Sequence, residues 1–91
     1  MAHRYGAVIP VRLAARSGRP RAFVWHGATY AVAQVVQTWR LMDGWWEQGN
    51  AYPARAATDR TYDRVRCPDE QYFDLYYDAV RDVWVLDRAH D

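Results

Sequence analysis

Lysine is absent from this chain of 91 residues, cysteine occurs once, and no apolar run approaches the ~18 residues that a membrane-spanning helix needs. Each absence removes a class of protein. A lone Cys67 cannot close an internal disulfide, and with no Cys-x-x-Cys or His-x-His spacing it has no partners for a zinc site. With no signal-peptide pattern ahead of the first patterned residues, a reducing cytoplasm is the expected compartment. Charge of one sign is also lacking: 12 basic residues face 11 acidic ones, for a formal net charge of +1. High-affinity nonspecific nucleic-acid binders depend on a basic excess, because phosphate neutralisation supplies most of their affinity, so a general DNA coat is excluded.

The signatures of catalysis are missing too. There is no Gly-rich phosphate loop, no Ser elbow and no metal-ligand spacing. His3, His26 and His90 are scattered over the two ends and one turn, and Cys67 has no histidine near it in sequence and is followed by Pro68. Asp74, Asp78, Asp82 and Asp87 are interleaved with Arg81 and Arg88, which reads as turn chemistry and solubility rather than as a catalytic carboxylate pair. The expectation is a protein that is not an enzyme and carries neither cofactor nor metal. All the basic residues being arginine agrees with GC-rich coding in an Ala- and Val-rich chain; selection for bidentate phosphate or carboxylate contacts is the alternative.

What the chain does have is aromatic rings: five Trp, seven Tyr and two Phe. Each large ring buries roughly 150–250 Å², which lets one short domain spanning residues 1–91 build a core. Short β-prone runs separated by turn residues recur throughout. Val8 to Leu13 alternates, with Pro10 marking an edge. Arg21 to Trp25 precedes His26-Gly27, where glycine tolerates the positive φ of a two-residue hairpin. A long return strand from Tyr30 to Leu41 changes phase near Ala33-Gln34, which predicts a bulge or bend; a helix over Ala31 to Leu41 is the rival reading. Residues 47–58 lack periodicity and read as a loop. Tyr62–Cys67, Gln71–Tyr77 and Val83–Arg88 complete an antiparallel meander. The predicted fold is mainly β, a small antiparallel barrel or strongly curled meander of five to six strands. Its predicted core is Ile9, Val11, Leu13, Phe23, Trp25, Tyr30, Val32, Leu75, Trp84 and Leu86.

Two constellations carry candidate function. On a strand, Arg60, Tyr62, Arg64 and Arg66 share one face while Val65 and Cys67 turn to the core. Guanidinium groups around a ring suit single-stranded nucleic acid, and the alternative is a solvated face whose arginines pair with Asp63, Asp59 and acids of the neighbouring strand. Trp45 and Trp46 are adjacent and point to opposite faces, so one of them is a candidate anchor for a protein partner, with mutual packing under the 47–58 loop as the alternative.

The pattern Arg21-x-Phe23-x-Trp25-x-Gly27-x-x-Tyr30-x-Val32, then Trp45-Trp46, then Arg60-x-Tyr62-x-Arg64-Val65, then Tyr72-x-x-Leu75-Tyr76 and Trp84-x-Leu86 resembles a family of short actinobacterial-type proteins. The same module resembles the C-terminal extension of the inactive Y-family polymerase paralogue (ImuB) of the bacterial mutasome. Three positions depart from the family pattern: His26 stands where an arginine is usual, Asp63 where an aromatic is usual, and no glycine occupies the turn between Asp78 and Trp84. The resemblance implies a setting in DNA damage tolerance and no enzymatic activity. It also implies contact with a replication or repair protein or with DNA; taken with the adjacent tryptophans, the expected partner is such a protein bound through Trp45 or Trp46, with weak nucleic-acid binding as the alternative, no membrane contact, and homodimer formation left open.

Overall fold

The computed structural model describes residues 2–43 and 58–90. The chain is mainly β, and its described residues form eight strands: β1 Ala2–Val8, β2 Val11–Leu13, β3 Pro20–Trp25, β4 Ala28–Ala31, β5 Gln34–Asp43, β6 Thr58–Cys67, β7 Gln71–Asp78 and β8 Val83–His90. They form two antiparallel sheets, one ordered β1-β8-β7-β6-β5 and a smaller one ordered β2-β3-β4.

Two corners join the sheets. At the first, Ile9 N–H donates to the Trp84 carbonyl (3.0 Å) and Val24 N–H to the Pro10 carbonyl (3.1 Å), so the chain passes from β1 into β2. Pro10 sits there because it has no N–H to place in a ladder. At the second, Val32 N–H donates to the Arg21 carbonyl and Ala33 N–H to the Arg66 carbonyl, both at 2.8 Å. The single return strand expected from Tyr30 to Leu41 is therefore split at Val32-Ala33, and a separate irregularity in the β5–β6 register falls between Val35 and Gln37. The rival helix is not formed, because β-branched Val35, Val36 and Thr38 with Trp39 fit a pleated ladder better than a helical turn.

Turn chemistry follows the sequence closely at one hairpin and not at another. His26 (φ 51°) and Gly27 (φ 76°) both take positive φ, the geometry of a two-residue turn that matches strand twist. The β7–β8 turn has no glycine. Asp78 Oδ1 instead accepts from the Val80 and Arg81 N–H groups at 3.0 and 3.1 Å, and Asp82 takes the left-handed conformation (φ 58°).

The inner face of the large sheet is covered by the small one. Ile9, Phe23, Val65, Cys67, Phe73, Leu75 and Leu86 form a buried cluster, with Val11, Trp25, Tyr30, Val32 and Trp84 packed against it. Phe23 stacks on Tyr30 and meets Phe73 edge-on, all with centroids 5.2 Å apart. Of the predicted core only Leu13 lies on the surface, at 44% exposure. It ends the three-residue β2, where the register slips against Pro20, so the strand stops before Leu13 reaches the inter-sheet space.

Candidate functional site

Side chains alternate along β6, so Thr61, Asp63, Val65 and Cys67 face the small sheet while Arg60, Tyr62, Arg64 and Arg66 share the outer face, as the sequence implies. The acid at position 63 lies inside, fully buried. Its Oδ1 accepts from Thr38 Oγ1 (2.7 Å) on β5 and from Arg19 Nη1 (3.0 Å) at the end of the β2–β3 turn. Among the described residues its Oδ2 has no hydrogen-bond partner. Asp63 thus pairs with neither Arg60, Arg64 nor Arg66, which lie across the sheet from it.

The outer face is an aromatic and guanidinium layer. Trp39 stacks on Tyr62 at 5.1 Å with planes 3° apart, and Tyr62 lies 5.0 Å from Tyr76. Tyr62, Tyr76 and Val85 are buried as one cluster. Arg60 places its guanidinium 4.6 Å from the Tyr76 ring centroid, a cation–π contact, while its Nε is buried without a hydrogen-bond partner among the described residues. Arg64 is held by Asp74 through two bonds, Nε to Oδ1 (2.8 Å) and Nη2 to Oδ2 (3.2 Å). His90 Nε2 also meets Asp74 Oδ2, at 3.0 Å. Burial pushes the Asp74 carboxyl upward, but the bonds from Arg64 and His90 and their positive charge outweigh it and hold the group below the ordinary carboxylate range. Arg66 makes one long bond, Nε to Gln34 Oε1 at 3.4 Å.

Of the four predicted nucleic-acid contacts, therefore, Tyr62 is stacked and buried, Arg64 is engaged by the carboxylate opposite it, Arg60 lies over a ring, and Arg66 is the least engaged. Trp45 and Trp46 lie outside the described residues. Cys67 is buried in the inner cluster and burial pushes its thiol up to about 11, which leaves almost no thiolate at neutral pH. Among the described residues no group of three His, Cys, Asp or Glu side chains is arranged to hold a metal. Among the described residues no helix is long and apolar enough to cross a membrane.

Sequence reasoning missed two features. Three of the exposed large hydrophobics, Val36, Leu41 and Met42, all sit on β5, at 46–48% exposure. That strand is an edge of the large sheet, and among the described strands only β6 pairs with it. In addition, an open cleft of about 600 Å³ lies at the first corner, walled by Val8, Ile9, Leu13 and Trp84 with Arg19 and Tyr77 at its rim.

Two antiparallel sheets joined at two corners, with no metal-holding group among the described residues, define a small, mainly β protein. More particularly, residues 1–91 match the family described as a domain of unknown function, DUF6504, and the chain belongs to it. No curated protein and no solved structure matches this chain.

Proposed function

We propose that this domain is a non-catalytic, cytoplasmic interaction module that binds a replication or repair protein, in the DNA damage tolerance setting that its resemblance to the polymerase-paralogue extension implies. The observation that carries this reading is β5. An edge strand leaves backbone donors and acceptors on its outer side, and strand addition by a partner uses that side for affinity and the flanking side chains for specificity. Here the strand presents Val36, Leu41 and Met42 to solvent and leads in sequence straight to Trp45 and Trp46. The inert Cys67 supports the non-catalytic part. The corner hydrogen bonds support a finer reading of the fold, in which β1-β2 and β4-β5 are two bent strands shared by both sheets and the meander curls into a small barrel. A pull-down from cell extract with the parent, a Trp45→Ala/Trp46→Ala double mutant and a Leu41→Lys variant tests the module. Loss of a repair or replication protein from both variants is expected; identical partner sets from three folded proteins contradict the reading.

A second reading is a weak binder of single-stranded nucleic acid on the outer face. It is supported by the arginines of that face that no internal acid neutralises, Arg66 among them. Weak binding fits a near-neutral chain that relies on a partner to reach DNA.

A further inference from the structure

One row of residues crosses the outer face of the large sheet. Arg4 on β1 is opposite Arg88 on β8, Arg88 is opposite Asp74 on β7, Asp74 is opposite Arg64 on β6, and Arg64 is opposite Gln37 on β5. Opposed residues of antiparallel strands share a face, with Cβ atoms about 4.5–5.5 Å apart. The row therefore aligns three guanidinium groups with one carboxylate. That carboxylate is already engaged: Asp74 Oδ1 takes Arg64 Nε, and Oδ2 meets Arg64 Nη2 and His90 Nε2.

Arg88 and Arg4 are left side by side. Neither makes an ion pair or side-chain hydrogen bond with any described residue, although Asp87 lines the same cleft. Like charges directly opposed across a ladder are destabilising, and the cost is relieved when an anion lies between them. Two planar guanidinium forks match a phosphate oxyanion in geometry as well as charge. The row borders a cleft of about 290 Å³ that also presents the half-buried Trp39, so a flat ring has a neighbour within the same concavity. Phosphate next to a ring is the chemistry of a nucleotide, and an acidic peptide would have no use for the indole.

We propose that Arg4 and Arg88 grip a backbone phosphate of single-stranded nucleic acid, with the adjoining base in the cleft beside Trp39. The proposal rests on the second reading above and relocates its contacts: the face stays the same, and the residues change from Arg60, Tyr62, Arg64 and Arg66 to the pair that the internal acid leaves free.

The test is fluorescence anisotropy of a short labelled oligothymidylate against the full chain across a salt series, with Arg4→Gln, Arg88→Gln, both together, and Arg12→Gln on the small sheet as control. One phosphate gripped by both arginines on a single strand gives a log–log salt slope of about −0.7. Each single variant is expected to weaken binding and shallow that slope, the double to abolish binding, and Arg12→Gln to change nothing, with thermal melts confirming that all are folded. Binding that ignores Arg4 and Arg88 overturns this site while leaving the second reading standing. No binding by the parent at low salt overturns both. Displacement of the oligonucleotide by polyglutamate as readily as by unlabelled oligonucleotide shows a general polyanion site and overturns the nucleic-acid assignment.

Discussion

The two faces of the large sheet come from the same strands and reach burial by different chemistry. Against the small sheet, Val65, Leu75 and Leu86 are fully buried aliphatics that meet Phe23 and Phe73. On the outer face the largest buried side chains are rings, Tyr62 and Tyr76, packed with Val85 and bordered by Trp39 and by the guanidinium of Arg60. A sheet partner supplies apolar surface for branched side chains to interdigitate with. Where the small sheet does not reach, amphipathic side chains do the covering: long apolar stems and ring faces lie down on the sheet while their polar ends stay accessible. The inner face thereby becomes a place of stability. The outer face becomes one where charge can be left over.

Removing an inner aliphatic side chain sharpens that contrast most. Leu75→Ala is expected to cost about 3–5 kcal/mol, comparable to the whole stability of so small a domain. Trp39→Ala, on the half-buried rim of the outer layer, is expected to cost about 1–2 kcal/mol, from partial burial plus one stacked pair. Urea unfolding of both checks the order; a larger loss for Trp39 would reverse the roles assigned to the two faces.

Next in size is the fully buried charge on the inner face, Asp63. Arg19→Ala strands the Asp63 carboxylate between the sheets with only Thr38 for a partner. A fully buried pair broken in this way costs several kcal/mol, and because the Arg19 side chain is 39% exposed the expected loss is discounted to about 1–3 kcal/mol. Equilibrium unfolding at neutral pH measures it, and an unchanged midpoint would remove Asp63 from the stabilising contacts.

Smaller again is the pH response of Asp74. Its carboxyl titrates below the ordinary 3.8 when folded, so the unfolded chain binds the proton more readily. The stability this confers is present above the unfolded value and is lost as pH falls through the folded one. Asp74→Asn is therefore expected to lower the melting temperature at neutral pH and to flatten its decline in acid below pH ~4. A parallel decline in both proteins would show that other groups control the acid limb.

Local pattern made some of this legible and not the rest. The His26-Gly27 turn and the division of β6 into Val65 and Cys67 on one side and four outer residues on the other follow from glycine's φ freedom and from the two-residue strand period. A bend near Ala33-Gln34 was legible as a change of phase, but the passage from one sheet to the other was not, because that corner is defined by hydrogen bonds to Arg21 and Arg66 on other strands. Asp63 reads as a solvated acid among arginines until its partner is known, and that partner, Arg19, is remote in sequence. The state of each outer arginine depends on register in the same way. Arg64 is engaged because Asp74 is opposite it, and Arg4 meets Arg88 only because the first strand of the chain pairs with the last.

That last division, between arginines that the fold uses and arginines that it does not, is tested most directly by melting Arg64→Gln and Arg88→Gln side by side with the parent at low salt. Both substitutions keep most of the stem and remove the charge. Arg64→Gln leaves the buried Asp74 carboxylate short of its main partner and should melt lower. Arg88→Gln relieves a like-charged neighbour and should melt at the parent temperature or above it, with the difference shrinking as salt is added. An Arg88→Gln protein that melts as low as Arg64→Gln would contradict the account, because Arg88 would then be part of what holds the sheet together rather than charge left free for a ligand.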